Sequence, residues 1–207
     1  MSKFVIALSR EYGSGGRDIG KQLAEELDIG SYDKSIIKLT AEKSGLAPGY
    51  VEESEEKVAN NFLYNVQYSS SYPSIDSIVY YETPTNDKMF IAQSAVIREL
   101  ADKESCVIIG RCADYVLRNA ENLVRVFIRA DITERAKRAV ELYGLTEKNA
   151  EATVRKTDKS RANYYKYYTN RAWGAPENAD IMINSTFTGV DGAVAIIKTM
   201  LKEKGLV

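Results

Sequence analysis

The sequence predicts an α/β domain with a parallel sheet of about five strands and helices on both faces. Two observations carry this. Four short apolar runs are rich in β-branched residues and bounded by turn or polar residues: FVIAL (4–8), CVIIG (106–110), VRVFI (124–128) and IMIN (181–184). Such runs suit strands buried on both faces. Between and after them lie helical patterns, and strands alternating with helices argue for a doubly wound arrangement.

Each helical pattern has its own signature. DIGKQLAEEL carries Ile19, Leu23 and Leu27 at i, i+4, i+8. DITERAKRAVELYG opens with Asp131 and Glu134 at capping-box spacing and closes at Gly144. VDGAVAIIKTML sets Val190, Val194, Ile197 and Leu201 on one stripe. A fifth strand is expected near Ser31–Tyr32, after the first helix and a glycine. Two regions break the rhythm. Residues 46–88 join an acidic helix-like piece to a polar run, and residues 146–178 are rich in Arg, Lys and Tyr. Long inserts in a compact domain are usually functional or disordered. No repeat and no linker divides the chain, so residues 1–207 are expected to form a single domain.

Composition excludes several chemistries. With 44% apolar and 28% charged residues the profile is globular, and a net charge of −1 gives no overall basic footprint for nucleic acid. The chain has no histidine, which removes Ser–His and Cys–His catalysis and histidine metal sites. Cys106 and Cys112 form neither a zinc pattern nor a disulfide framework. No apolar stretch reaches membrane-spanning length and the start MSKFVIALSR has no full signal-peptide core, so a cytoplasmic location is expected.

The stretch SREYGSGGRDIG places three glycines within four residues between a strand and a helix. Glycines let the backbone curl so that successive N–H groups face an anion, and the helix N-terminus adds partial positive charge. The P-loop pattern G-x-x-x-x-G-K-[ST] fails here in every register. With Gly16–Arg17 as G-K, the first glycine is Glu11 and the Ser/Thr is Asp18; with Gly15–Gly16, these become Arg10 and Arg17. The first register is preferred, with Arg17 as phosphate cation and Asp18 facing Mg²⁺. A dinucleotide site is the rival: Gly13 and Gly15 supply G-x-G and Asp33 lies where a ribose-binding acid would sit, but Asp18 takes the third glycine's place. A tight turn without ligand is the third reading.

Two further clusters bear on the choice. Gly110–Arg111 follows a strand directly, where ligands of open α/β sheets bind; Arg111 there suits a phosphate or carboxylate, or an ion pair with Asp114. Arg155, Asp158 and Arg161 recur at spacing three in a helical stretch, so the carboxylate could hold both guanidiniums, or all three could be solvated ion pairs. Tyr164, Tyr165, Tyr167, Tyr168, Arg171 and Trp173 crowd the same segment. They suit stacking on a nucleotide, plain packing or a homo-oligomer interface.

Taken in order, these motifs resemble the cytidylate kinase-like family, a branch of the P-loop nucleoside monophosphate kinases. SREYGSGGRDIGKQLAEEL is similar to that branch's phosphate loop, which also lacks the lysine. SYDKSII is similar to the segment after its second strand. VIIGRCADYVL resembles the G-R-D element, with Cys112 in place of the aspartate. VRKTDKSRANYYKYYT resembles the R-x-x-D-x-x-R lid, and ADIMINSTFTGVDGAVAII the closing strand and helix. The resemblance implies a three-layer P-loop NTPase-type fold with an acceptor-binding lobe (46–88) and a lid (146–178). It implies phosphoryl transfer from ATP with Mg²⁺ to a nucleoside monophosphate, CMP or dCMP first. Gly13, Ser14, Gly15 and Gly16 would wrap the ATP β-phosphate with Arg17 as cation. Arg111 would hold the acceptor phosphate, with Asp33 beside the acceptor. Arg155 and Arg161 would close over the transferring phosphoryl, oriented by Asp158. The partners implied are small nucleotides, not nucleic acid or membrane.

Overall fold

The computed structural model describes residues 3–44 and 85–207. Five strands form one sheet: β1 Val5–Arg10, β2 Gly30–Tyr32, β3 Cys106–Ile109, β4 Leu123–Arg129 and β5 Ile181–Asn184, in the order β2-β3-β1-β4-β5. All neighbours pair in parallel. The expected runs become strands within a residue or two of their predicted ends, because continuous β-branched runs suit a sheet covered on both faces.

Side chains alternate across the sheet as the two-residue strand period requires. Ile6 and Leu8, with Val107 and Ile109, pack on one side against Ile19 and Leu23 of α1 (Gly16–Leu27) and Val194, Ile197 and Leu201 of α7 (Ser185–Glu203). Val5, Ala7, Cys106 and Ile108 pack on the other side against Ile36 of α2 (Ser35–Ser44), Val96 and Ile97 of α3 (Thr85–Lys103) and Ala113 of α4 (Ala113–Val116). This is a three-layer fold. The lobe expected over 46–88 lies outside the described residues, except for its last few positions, which belong to α3.

The chain then forms α5 (Ile132–Tyr143) and α6 (Glu147–Thr169), which pack together. Asp131 and Gly144 bound α5 as expected, but Asp131 makes no side-chain cap bond; instead its backbone N–H donates to Thr186 Oγ1 at 2.8 Å. Helix α7 breaks at Gly189 (φ 66°, ψ −174°), so the stripe from Val190 belongs to a segment offset from the first turn. Among the described residues no helix is long and apolar enough to cross a membrane. Both cysteines are buried free thiols, and burial pushes Cys106 up to about 12 and Cys112 higher still.

Candidate active site

The site forms at the carboxyl ends of β1, β3 and β2. After β1 the chain turns through Glu11, Tyr12 and the glycines. Gly13 (φ 78°) and Gly15 (φ 75°) take left-handed conformations that a side chain disfavours, and Gly15 caps α1 without any side-chain bond. The first N–H groups of that helix therefore have no intrahelical acceptor and face the mouth of the loop.

The loop is held from behind. Ser14 donates its hydroxyl to the Glu11 carbonyl at 2.8 Å, and Ser185 at the start of α7 donates to the Ser14 carbonyl at 2.6 Å. Arg138 of α5 donates to the Gly13 carbonyl at 3.0 Å. Carbonyl and following N–H point opposite ways in a trans peptide, so tying down the Ser14 carbonyl turns the Gly15 N–H to the other side. Asp158 of α6 accepts the Tyr12 N–H at 2.7 Å and also a short bond from Arg135 of α5. Arg135 donates to the Tyr12 carbonyl at 3.3 Å and pairs with Glu11, whose carboxylate accepts the Ala130 N–H at 2.9 Å. Two helices thus brace one loop.

In front of the loop two arginines pair with one carboxylate, and two more lie beside Arg10. Asp33, just past β2, accepts from Arg17 Nε at 2.6 Å and pairs with Arg10 Nη2 at 3.6 Å. Arg161 donates to the Arg10 carbonyl at 3.0 Å and lies 5.5 Å from the Tyr12 ring centre. Arg111 follows β3 with φ 61° and feels the fields of Arg10 and Asp33. Burial, then repulsion from Arg161, pushes Arg10 down to about 9 despite Asp33. Burial and Arg10 push Arg111 down to about 10, and burial lowers Arg161. A cation cluster of this kind is costly alone and favourable around an anion.

Comparisons with known proteins bear on the chain's family and fold. The sequence profile of the cytidylate kinase-like family matches residues 5–186. The chain belongs to that family. It is 30% identical over 105 residues to a cytidylate kinase of Thermococcus kodakarensis and 29% identical over 114 residues to one of Methanoculleus marisnigri. These matches cover 50% and 55% of this chain, and the chain spans about half the length of the first relative and about three fifths of the second (52% and 61%). A crystal structure of an uncharacterized protein from Eubacterium ventriosum is similar over 97% of this chain and 99% of its own, with a TM-score of 0.69 and 29% identity. Shikimate kinase from Acinetobacter baumannii shares the fold at a TM-score of 0.52 and 16% identity, covering 98% of this chain and 96% of its own. The fold is that of the P-loop kinases.

Within this family member, the expected residues divide. Arg17, Asp33, Arg111 and Arg161 come together at the strand ends, and Asp158 meets the loop. Arg155 does not join them: it is 63% exposed and pairs with Glu151 one turn away. Residues six apart on a helix lie about 120° apart, so Arg155 and Arg161 stand on opposite shoulders of Asp158, and Arg161's shoulder is the one packed on the loop. Asp18 is exposed in the first turn of α1. Ser14 is buried, and its hydroxyl and N–H both serve the Glu11 carbonyl.

The aromatic segment packs against the fold. Tyr168 stacks on Phe90 with centroids 4.0 Å apart, Tyr165 donates to Asp114 at 2.6 Å, and Trp173 meets Phe127 edge-on at 5.3 Å. Arg10, Arg135 and Arg138 are site residues that the motifs do not single out. Arg135 carried one signal: it shares the inward face of α5 with Ala139, and a buried arginine needs partners.

Proposed function

We propose that the chain transfers a phosphoryl group from ATP to a nucleoside monophosphate, with CMP or dCMP the first acceptor. The observation that carries this reading is the pairing of Arg10 and Arg17 with Asp33 beside the glycine loop, with Arg161 bonded to the Arg10 carbonyl and Arg111 close enough to Arg10 to feel its charge. Family membership and the kinase fold support it.

In this reading the N–H groups of Gly15, Gly16 and Arg17 receive the ATP phosphates, aided by the helix N-terminus. Arg111 holds the acceptor phosphate as a fork, and Asp33 keeps Arg17 and Arg10 aimed at the space between donor and acceptor. Arg161 neutralises charge on the transferring phosphoryl, and Asp158 fixes the loop beneath it. A phosphate acceptor is already a nucleophile, so no general base is required, which suits a chain without histidine. Mg²⁺ is commonly held by phosphates with one or two carboxylates, and the exposed Asp18 is the carboxylate that the loop offers it. The metal would supply further charge neutralisation on the phosphates. The reading places the protein in the cytoplasm, where its nucleotides are.

The test is a panel of nucleoside monophosphates with Mg-ATP, read as ADP formation, beside calorimetric ATP binding. CMP or dCMP is expected to give the fastest turnover. Turnover with a different acceptor would overturn the acceptor assignment. No ADP with any acceptor and no ATP binding would overturn the enzyme reading.

A further inference from the structure

The glycine loop departs from G-x-x-x-x-G-K in a way that makes physical sense once two side-chain positions are compared. With Gly15 as the second glycine, the pattern's first glycine falls on Arg10 and its lysine on Gly16. These two positions touch. A Cβ on Gly16 would sit 2.5 Å from Arg10 Cβ and 2.9 Å from its Cγ, closer than real Cβ atoms approach. Position 16 can therefore carry no side chain while position 10 carries this one. Further along, a Cβ on Gly110 would fall 2.0 Å from Arg10 Nη1. Two glycines from different elements clear the path of a single arginine. Its guanidinium ends beside Asp33 at 3.6 Å.

We propose that Arg10 is the loop's phosphate cation: the chain has exchanged the pattern's glycine and lysine, and the charge enters the site from the end of β1 instead of the start of α1. The ligand is the polyphosphate of a nucleoside triphosphate. Its identity as donor rests on the function proposed above. This favours the second register over the one preferred from sequence, because Gly15 caps α1 and Gly16 opens it. Arg17 then stands at the Ser/Thr position, with its Nε engaged by Asp33. The crowding of Arg10 by Arg161 and Arg17 is what a polyphosphate would relieve.

The test uses calorimetry of the full chain with inorganic tripolyphosphate, without metal, and with Mg-ATP. Arg10→Met keeps the stem against Gly16 and removes the charge; it is expected to weaken tripolyphosphate binding about tenfold or more. Gly16→Lys alone is expected to lower the melting temperature and the affinity, because the new Cβ meets Arg10. Arg10→Gly with Gly16→Lys restores the ordinary pattern and is expected to recover both. Tripolyphosphate binding by Arg10→Met within about twofold of the parent overturns the proposal. So does a double variant no better than Gly16→Lys, or a parent that binds no tripolyphosphate. Arg10-dependent tripolyphosphate binding without ADP formation from any acceptor would leave Arg10 in place and remove the kinase reading instead.

Discussion

Replacing Asp158 with alanine removes the joint between α6, α5 and the glycine loop. Its carboxylate, 16% exposed, accepts from the Tyr12 N–H at 2.7 Å and from Arg135, whose side chain is only 9% exposed. Deleting one partner of a buried ion pair typically costs about 3–5 kcal/mol. Glu11 remains 3.4 Å from Arg135 Nε and softens the loss, so the low end, about 3 kcal/mol, is expected. For a domain of this size that is a fall of about 6–12 °C in melting temperature. Asp158→Asn keeps an acceptor for the Tyr12 N–H and loses only the charge, so it should fall between Asp158→Ala and the parent. Adding Arg135→Met to Asp158→Ala should recover part of the loss, since no buried guanidinium is then left short of a carboxylate. Thermal and urea unfolding measure all three. An Asp158→Ala protein within about 0.5 kcal/mol of the parent would refute the brace, since that is the range of an ordinary surface change.

Gly13→Ala places a Cβ 2.6 Å from the Arg135 carbonyl oxygen at φ +78°, whereas Gly144→Ala meets nothing within 4 Å at φ +67°. The second change should therefore cost only the left-handed penalty, about 1–2 kcal/mol, and the first clearly more, by urea unfolding. Asp114 is buried, with Tyr165 donating to it, and burial raises its carboxyl above the usual range. Its protonated form is favoured by folding, so the stability it confers is full below the usual carboxylate range and lost as pH rises through the raised value. Asp114→Asn should thus gain melting temperature relative to the parent as pH rises out of that range; a constant difference would refute the argument. Arg155→Ala should leave stability within about 0.5 kcal/mol and turnover near the parent's, because its exposed pair with Glu151 is worth little. Arg161→Ala should lower turnover sharply in the same assay.

The fold was largely legible because a buried parallel sheet leaves a signal in each strand separately. IMIN became β5 at its predicted bounds, and Asp131 and Gly144 flank α5. The position of a candidate residue was legible where the sequence ties it to a strand end, as with Gly110–Arg111 after β3. It was not legible where a contact joins distant segments. Spacing alone put Arg155 and Arg161 on equal terms with Asp158; only the docking of α6 on the loop separates them. The crowd of tyrosines had two further readings in sequence, and it is Phe90 on α3 that shows how Tyr168 packs. Arg10 looked like a flaw in a motif because the glycine it needs at position 16 lies in the next element.

The arginines near the loop fall into two groups by where they lie. Arg135 and Arg138 lie behind it and give their N–H groups to Tyr12, Gly13 and Asp158, all of them protein acceptors. Arg10, Arg17, Arg111 and Arg161 lie in front of it, where Asp33 pairs with Arg10 and Arg17. The rear group lowers the energy of the loop itself, so its loss is read in unfolding. On the function proposed above, the front group lowers the energy of a bound anion. Without one, burial disfavours the charges of Arg10, Arg111 and Arg161, and repulsion adds to this at Arg10 and Arg111, so the group's loss is read in binding. Removing the Arg10 charge should then cost affinity while sparing or even raising the stability of the unliganded chain, since Asp33 keeps its closer partner Arg17. That opposition of sign distinguishes a built anion site from arginines that merely decorate the end of a sheet.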